Sequence, residues 1–359
     1  MGGTFVRYKP PKSMNNQPIH VVTGANGHLG NNLVRNLLAK GFRVRATVRN
    51  LKNTEPFAGI HCEVVPADIM DKASLSRALS DRGDGPVDTL YAVGASFKLW
   101  AKDPIRDIYE VNMQGMRNTL DAAREQGVRR IVWVSSIAAL NYAQMPTSER
   151  YGYNPDRRSW YYNSKNDSEQ QAHELARQYG IELVSVLPSA MIGPEAFGTL
   201  NVSFNILRLI LHKQIPVETK ITLNWVDVQD VAEGCFLAAT KGQPGERYIL
   251  ANETSMSIRE TTELAMQQYP NLGLKLPAEL PKPLLYTIVW FLETGAKLSG
   301  KEPSLTVNDL NMFYGLAQDF DVSKARRELG FSPKPPRQAV LDAFDYLLKH
   351  EARLASRQA

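Results

Sequence analysis

The chain has 359 residues, room for one large α/β unit with an appended part, and its 43% apolar residues can fill a sizeable core. Its formal charge of +5 is scattered along the chain rather than gathered into a basic stripe with stacking aromatics, which argues against a nucleic-acid partner. The two cysteines, Cys62 and Cys235, make no metal-ligand spacing, so no metal is expected, and both read as reduced, buried thiols of a cytoplasmic protein.

Residues 1–17 are polar, lack the apolar stretch of a secretory signal, and read as a flexible N-terminal extension. Ile19–Thr23 is a β-branched run that ends at glycine. Leu29–Lys40 places Leu29, Leu33, Leu37 and Leu38 at helical spacing, with Gly41 as its stop. Arg43–Arg49 alternates, with Val44, Ala46 and Val48 on one side. Cys62–Pro66 is a third strand, Asp71–Arg82 a helix, Thr89–Val93 a fourth strand and Asp103–Gln126 a long helix. Arg130–Ser135, Ser164–Tyr179 and Ile181–Leu187 continue as strand, helix and strand.

This rhythm predicts an α/β fold with a doubly wound parallel sheet covered by helices on both faces. After Pro188 it loosens. Pro194 to Thr222 reads as loop and helix, Val226–Thr240 as a helix and Glu246–Leu250 as a returning strand. The tail from Ser257 to Leu348 reads as mainly helical. The expected division is a cofactor-binding domain over 18–190, its sheet open to completion by 222–252, and a smaller, mainly helical substrate lobe over 191–359.

The segment Gly24-Ala25-Asn26-Gly27-His28-Leu29-Gly30 joins the first strand to the first helix. Gly24 permits a tight turn, Gly27 lets the backbone approach a pyrophosphate, and Gly30 lets helix and strand pack closely. The helix start then offers free N–H groups to phosphates, so Asn26, His28 and Leu29 join the glycines as cofactor contacts. An NAD-preferring site would carry an acidic residue at the end of the second strand. Here Val48-Arg49-Asn50 stands there, and a guanidinium suits a 2′-phosphate. The expected cofactor is therefore NADP(H), with Arg49 as the phosphate contact; a solvated loop charge is the other reading of Arg49. Asp68-Ile69 and Val93, after the third and at the end of the fourth strand, are further cofactor candidates.

Tyr161 and Lys165 are four residues apart and share one helix face. An ammonium beside a phenol favours the phenolate and lowers its pKa, and Lys165 can also hold a ribose hydroxyl. Upstream, the fifth strand ends in Ser135-Ser136, and Ser136 is the preferred hydrogen-bond donor to a substrate carbonyl. Asn112 is placed to brace Lys165 through a water.

Together, the glycine turn, Tyr161-x-x-x-Lys165, the Ser135-Ser136 strand end, Asn112-x-x-Gly115 and Leu187–Pro194 resemble the extended short-chain dehydrogenases/reductases, a Rossmann-fold family. Arg43–Arg49 looks like the second strand of dihydroflavonol 4-reductases. Phe97–Pro104 is similar to hopanoid-associated sugar epimerases and 3β-hydroxysteroid dehydrogenase-like reductases. The resemblance implies a catalytic triad of Ser136, Tyr161 and Lys165, and that Pro188 and Ser189 border the nicotinamide. It also implies a homodimer through the helices carrying Asn112 and Lys165. His28 departs from the aromatic or aliphatic residue usual in the turn.

The expected activity is NADPH-dependent reduction of a carbonyl. The alternatives are a nucleotide-sugar epimerase or dehydratase, whose Arg-x-x-Asn-x-x-Gly-Pro segment keeps only its Gly-Pro here, and an NADP-sensing binding protein. Phe97, Leu99, Trp100, Tyr142, Met191 and the Phe197–Leu211 region are expected to shape the substrate cleft. Their bulk suggests a small-molecule carbonyl substrate that is large and hydrophobic, although each could equally be a core residue. Residues 284–292 are apolar nearly all round but too short to span a bilayer. The default reading is a buried helix of the small lobe. The other is a helix lying on a membrane surface, with Lys282, Lys297 and Lys301 near anionic headgroups.

Overall fold

The computed structural model describes residues 17–52, 55–97, 100–196, 201–303 and 305–358, with side chains to 352. Its elements follow in chain order as β1 (Ile19–Val22), α1 (His28–Ala39), β2 (Arg43–Val48), β3 (Glu63–Pro66), α2 (Lys72–Leu79), β4 (Val87–Ala92), α3 (Val111–Glu125), β5 (Arg130–Val134), α4 (Trp160–Tyr179) and β6 (Glu182–Pro188). The remainder comprises β7 (Ala190–Ile192), α5 (Val202–Leu211), β8 (Thr222–Leu223), β9 (Trp225–Asp227), α6 (Val228–Lys241), β10 (Arg247–Leu250), β11 (Met256–Ser257), α7 (Ile258–Gln268), α8 (Lys282–Leu298), α9 (Val307–Phe313) and α10 (Pro336–Gln358).

Seven parallel strands form one sheet in the order β10-β6-β5-β4-β1-β2-β3. The order reverses between β1 and β4, which opens a crevice at the carboxyl ends of those strands. One face packs on α1 and α6 through Leu29, Leu33, Leu37, Val231 and Cys235. The other packs on α2, α3 and α4 through Leu75, Leu79, Met116, Leu120, Ala172 and Ala176. Burial on both faces explains why the strands read as apolar runs. In β2, Val44, Ala46 and Val48 face the first cluster, as their alternation requires. Arg45 alternates to the opposite side and is fully buried there; ion pairs with Glu63 (2.6 Å) and Asp84 (3.1 Å) offset its desolvation.

Two elements differ from the sequence reading. Six residues of π-helical winding, Ile105–Glu110, precede α3. The run expected as one helix from Val226 instead starts as β9, which pairs in parallel with β7. Asp227 then caps α6, its carboxylate accepting from the Gln229 N–H at 2.8 Å. A third core cluster, around Phe204, Trp225 and Phe344, holds β7, β9, α5, α7 and α10 together. Cys235 is buried as expected, but Cys62 is partly exposed.

The default placement of residues 284–292 is overturned. In α8 only Leu285 and Val289 are buried, against Leu310, while Trp290, Phe291 and Leu292 are more than half exposed.

Candidate active site

Four neighbouring strands bring their carboxyl ends to one edge of the sheet: β1 with Thr23-Gly24, β4 with Val93-Gly94, β5 with Ser135-Ser136, and β6 with Pro188. Gly24 has φ +63°, and a Cβ there would lie 3.0 Å from the Gly94 Cα. The close approach is locked by the Gly94 N–H donating to Thr23 Oγ1 at 3.0 Å. At Gly30 a Cβ would come within 2.3 Å of the Gly24 carbonyl oxygen, so the first turn of α1 sits directly on the loop. No side chain caps α1, and its N-cap Gly27 is exposed. This bare, uncapped helix start against two touching glycine loops fits a dinucleotide phosphate.

Arg49 is exposed just past the end of β2. Asp68 is half-buried, its carboxylate accepting from the Met70 N–H at 2.9 Å. Ile69 fills the space left by Gly115 of α3, where a Cβ would lie 2.8 Å from its Cδ1. Val93 is buried in the core beneath the crevice.

Ser159 caps α4, and left-handed Gly180 (φ 70°) ends it. Its first turn therefore projects from the carboxyl edge beside β5. There the Tyr161 phenol lies beside the Ser136 hydroxyl, which favours its ionised form. The two serines at the strand end divide their work. Ser135 is buried and donates to Glu169 at 2.5 Å. Ser136 is half-exposed, its Oγ accepting from the Ala138 N–H at 3.1 Å.

Lys165 lies one turn further on and is buried, with its Nζ 4.7 Å above the Phe97 ring, a cation–π contact. Burial pushes the Lys165 ammonium down to about 8, against the opposing pull of Glu169. The expected lowering of the Tyr161 pKa does not occur. Burial pushes the phenol up to about 12, and the Ser136 hydroxyl beside it is the opposing influence.

Other side chains have direct partners that the sequence did not reveal. Asn112 braces Ser96 and Ser164. Its Oδ1 accepts from the Ser96 N–H (2.8 Å), and its Nδ2 donates to the Ser96 carbonyl (3.1 Å) and Ser164 Oγ (2.9 Å). This ties the loop after β4 to α4, one residue before Lys165. Ser189 is buried and its hydroxyl donates to Asn224 at 3.0 Å, so that side chain serves the junction with β9.

The His28 ring faces α5 and the Gly193-Pro194 segment before it. Its Nε2 lies 3.1 and 3.0 Å from the Gly193 and Pro194 carbonyls, its Nδ1 accepts from Asn201 Nδ2 at 3.0 Å, and the ring stacks on Phe204. Two carbonyl acceptors on one side and an amide donor on the other require the neutral Nε2–H tautomer. Burial correspondingly holds its pKa below 6.5.

Of the residues expected around the substrate, Phe97 is 48% exposed beneath Lys165 and Trp100 is half-exposed. Tyr142 donates to the Ile137 carbonyl at 3.1 Å and packs edge-on to Phe320. Met191 packs against the α1–α6 core. Leu99 and residues 197–200 lie outside the described residues.

Sequence reasoning missed Glu169 and Arg247. Glu169 is fully buried and pairs with Arg247 of β10 at 2.6 Å, while Arg247 also lies 4.0 Å over the Tyr153 ring. A glutamate four residues after Lys165 on the same helix face was the available clue. Among the described residues no cluster of three acidic, histidine or cysteine side chains could hold a metal.

A model of the NAD dependent epimerase/dehydratase family matches residues 20–251. A protein of Synechocystis sp. named as a dihydroflavonol 4-reductase is 32% identical over 346 residues, covering 92% of this chain and 94% of its own. The sterol demethylase protein B of Methylococcus capsulatus is 29% identical over 329 residues, covering 90% of this chain and 96% of its own. The solved structure of gox2253 has a TM-score of 0.77 and 31% identity, covering 93% of this chain and 99% of that one.

Proposed function

The chain belongs to the NAD dependent epimerase/dehydratase family, and we propose that within it this protein is an NADPH-dependent reductase of a bulky hydrophobic ketone. The observation that carries the reading is the Tyr161–Ser136 hydroxyl pair, at the same sheet edge as the glycine cradle. A reduced nicotinamide supplies the hydride when bound.

The protein's own groups handle the oxygen. With its pKa held near 12, Tyr161 is a phenol at neutral pH and has a proton to give to a carbonyl oxygen that gains negative charge. The Ser136 hydroxyl steadies the same oxygen. The Lys165 ammonium, one turn along α4, favours negative charge at that place. Arg49, exposed past the end of β2, supports NADPH over NADH. Exposed Phe97 and half-exposed Trp100 offer apolar surface to a substrate. The epimerase alternative is disfavoured because Leu187–Pro194 lacks both the arginine and the asparagine of the nucleotide-sugar enzymes.

Incubation with NADPH and a panel of hydrophobic ketones, followed by NADPH absorbance, tests the reading. Turnover is expected, and Tyr161→Phe should lower it by about 10²-fold or more while NADPH binding persists. Interconversion of nucleotide sugars without net NADPH loss, or parental turnover in the phenylalanine variant, would overturn it.

A further inference from the structure

Large apolar side chains are seldom gathered on the surface of a folded protein. Of the twelve that are most exposed among the described residues, five sit on the 17-residue α8: Leu284, Trp290, Phe291, Leu292 and Leu298. At 100° per residue, Leu284, Ile288, Phe291, Leu292, Gly295 and Leu298 fall on one broad arc, opposite the side that carries Glu293. The helix is held down on its inner side, by Leu285 and Val289 against Leu310, by Tyr286 edge-on to Tyr314 and by Lys282 over the Tyr314 ring at 4.7 Å.

The arc also has no unmet polar group. The Thr287 hydroxyl donates back to the Pro283 carbonyl at 2.9 Å, and the Thr294 hydroxyl to the Trp290 carbonyl at 2.8 Å. Both threonines can therefore enter an apolar medium without leaving a donor unsatisfied. Glu293 is turned away from the arc, bonded to the Val307 N–H at 2.8 Å and to Lys297 at 2.5 Å.

Cations frame the two ends. Exposed Lys282 stands at the start, and exposed Lys297 and Lys301 at the finish, where Gly300 approaches the Nζ of exposed Lys102; Glu302 is the exposed acid at that end. No helix among the described residues is long and apolar enough to cross a membrane. An aromatic and leucine face flanked by lysines instead suits a helix lying flat at the headgroup boundary.

We propose that α8 seats this protein on the surface of an anionic lipid bilayer, its Leu284–Leu298 arc in the acyl boundary and its flanking lysines among the headgroups. Such a seat would place a reductase beside membrane-dissolved substrates.

The test is flotation of the full chain with phosphatidylcholine vesicles, with and without phosphatidylglycerol. Parent protein should float with the phosphatidylglycerol vesicles and be released as salt rises. Phe291→Ser/Leu298→Ser removes two side chains that are 63% and 85% exposed, so the fold should persist. The double variant should lose binding by roughly tenfold per side chain. Parent protein that stays in the soluble fraction with every vesicle, or binds neutral vesicles equally well, overturns the proposal. So does a double variant that floats like the parent. Self-association in lipid-free buffer, abolished by the double variant and without flotation of the parent, would assign the face to a second copy of the chain.

Discussion

Tyr161 and Lys165 feel the same burial with opposite results: the phenol is pushed up to about 12 and the ammonium down to about 8. Both shifts follow from the cost of a charge away from water. Lys165 therefore loses its charge as pH rises through about 8, while Tyr161 keeps its proton well beyond. Reductive turnover should decline above that pH, and a rate still climbing there would remove the ammonium from the mechanism. Arg49 allows a second expectation at this scale. Arg49→Asp should weaken NADPH binding by roughly 10–100-fold, the worth of one or two charge-assisted hydrogen bonds, and leave NADH binding much less affected. Titration with each nucleotide checks this, and an unchanged preference would return Arg49 to the role of a solvated loop charge.

Within α4 the proposed chemistry and the stability share one helix. Tyr161, beside Ser136, and Lys165, over the Phe97 ring, come from its first turns, while Glu169, a turn later, is buried against Ser135 and Arg247. Glu169→Gln would leave the buried Arg247 guanidinium without its counter-charge, at a cost of about 3–5 kcal/mol. Thermal unfolding should show a large fall in Tm. Glu169→Gln/Arg247→Met, which removes both charges, should recover part of it. A single variant as stable as the parent would show that the pair contributes little. The i, i+4 spacing of Lys165 and Glu169 was present in the sequence, but the partner that gives Glu169 its role lies 78 residues away on β10.

Across the whole molecule, His20, His28 and His173 all have pKa values held below 6.5, chiefly by burial. A folded-state value below the unfolded one means the unfolded chain binds more protons as pH falls. The contribution of these histidines is complete above about 6.5 and is lost as pH drops through their depressed folded values. The Tm should therefore decline on acidification below about pH 6.5. His28→Gln, which cannot titrate, should show a shallower decline. An unchanged slope would mean that His28 binds protons equally in the folded and unfolded chain over this range.

Local order was legible in the sequence because each sign of it acts over a few residues. The glycine spacing of 24–30, the apolar strand runs, the Tyr161–Lys165 spacing and the serines ending β5 are all short-range patterns, and a parallel sheet gathers such strand ends at one edge without further instruction. What only the tertiary structure decided depends on partners distant in the chain. Those partners direct Ser135 to Glu169 and leave Ser136 to Tyr161, turn His28 to Asn201, and raise the Tyr161 pKa where its neighbour Lys165 alone would have lowered it. They also decide which side of an apolar helix finds cover: α8 has hydrophobic residues nearly all round, and the fold fully buries just Leu285 and Val289 of them.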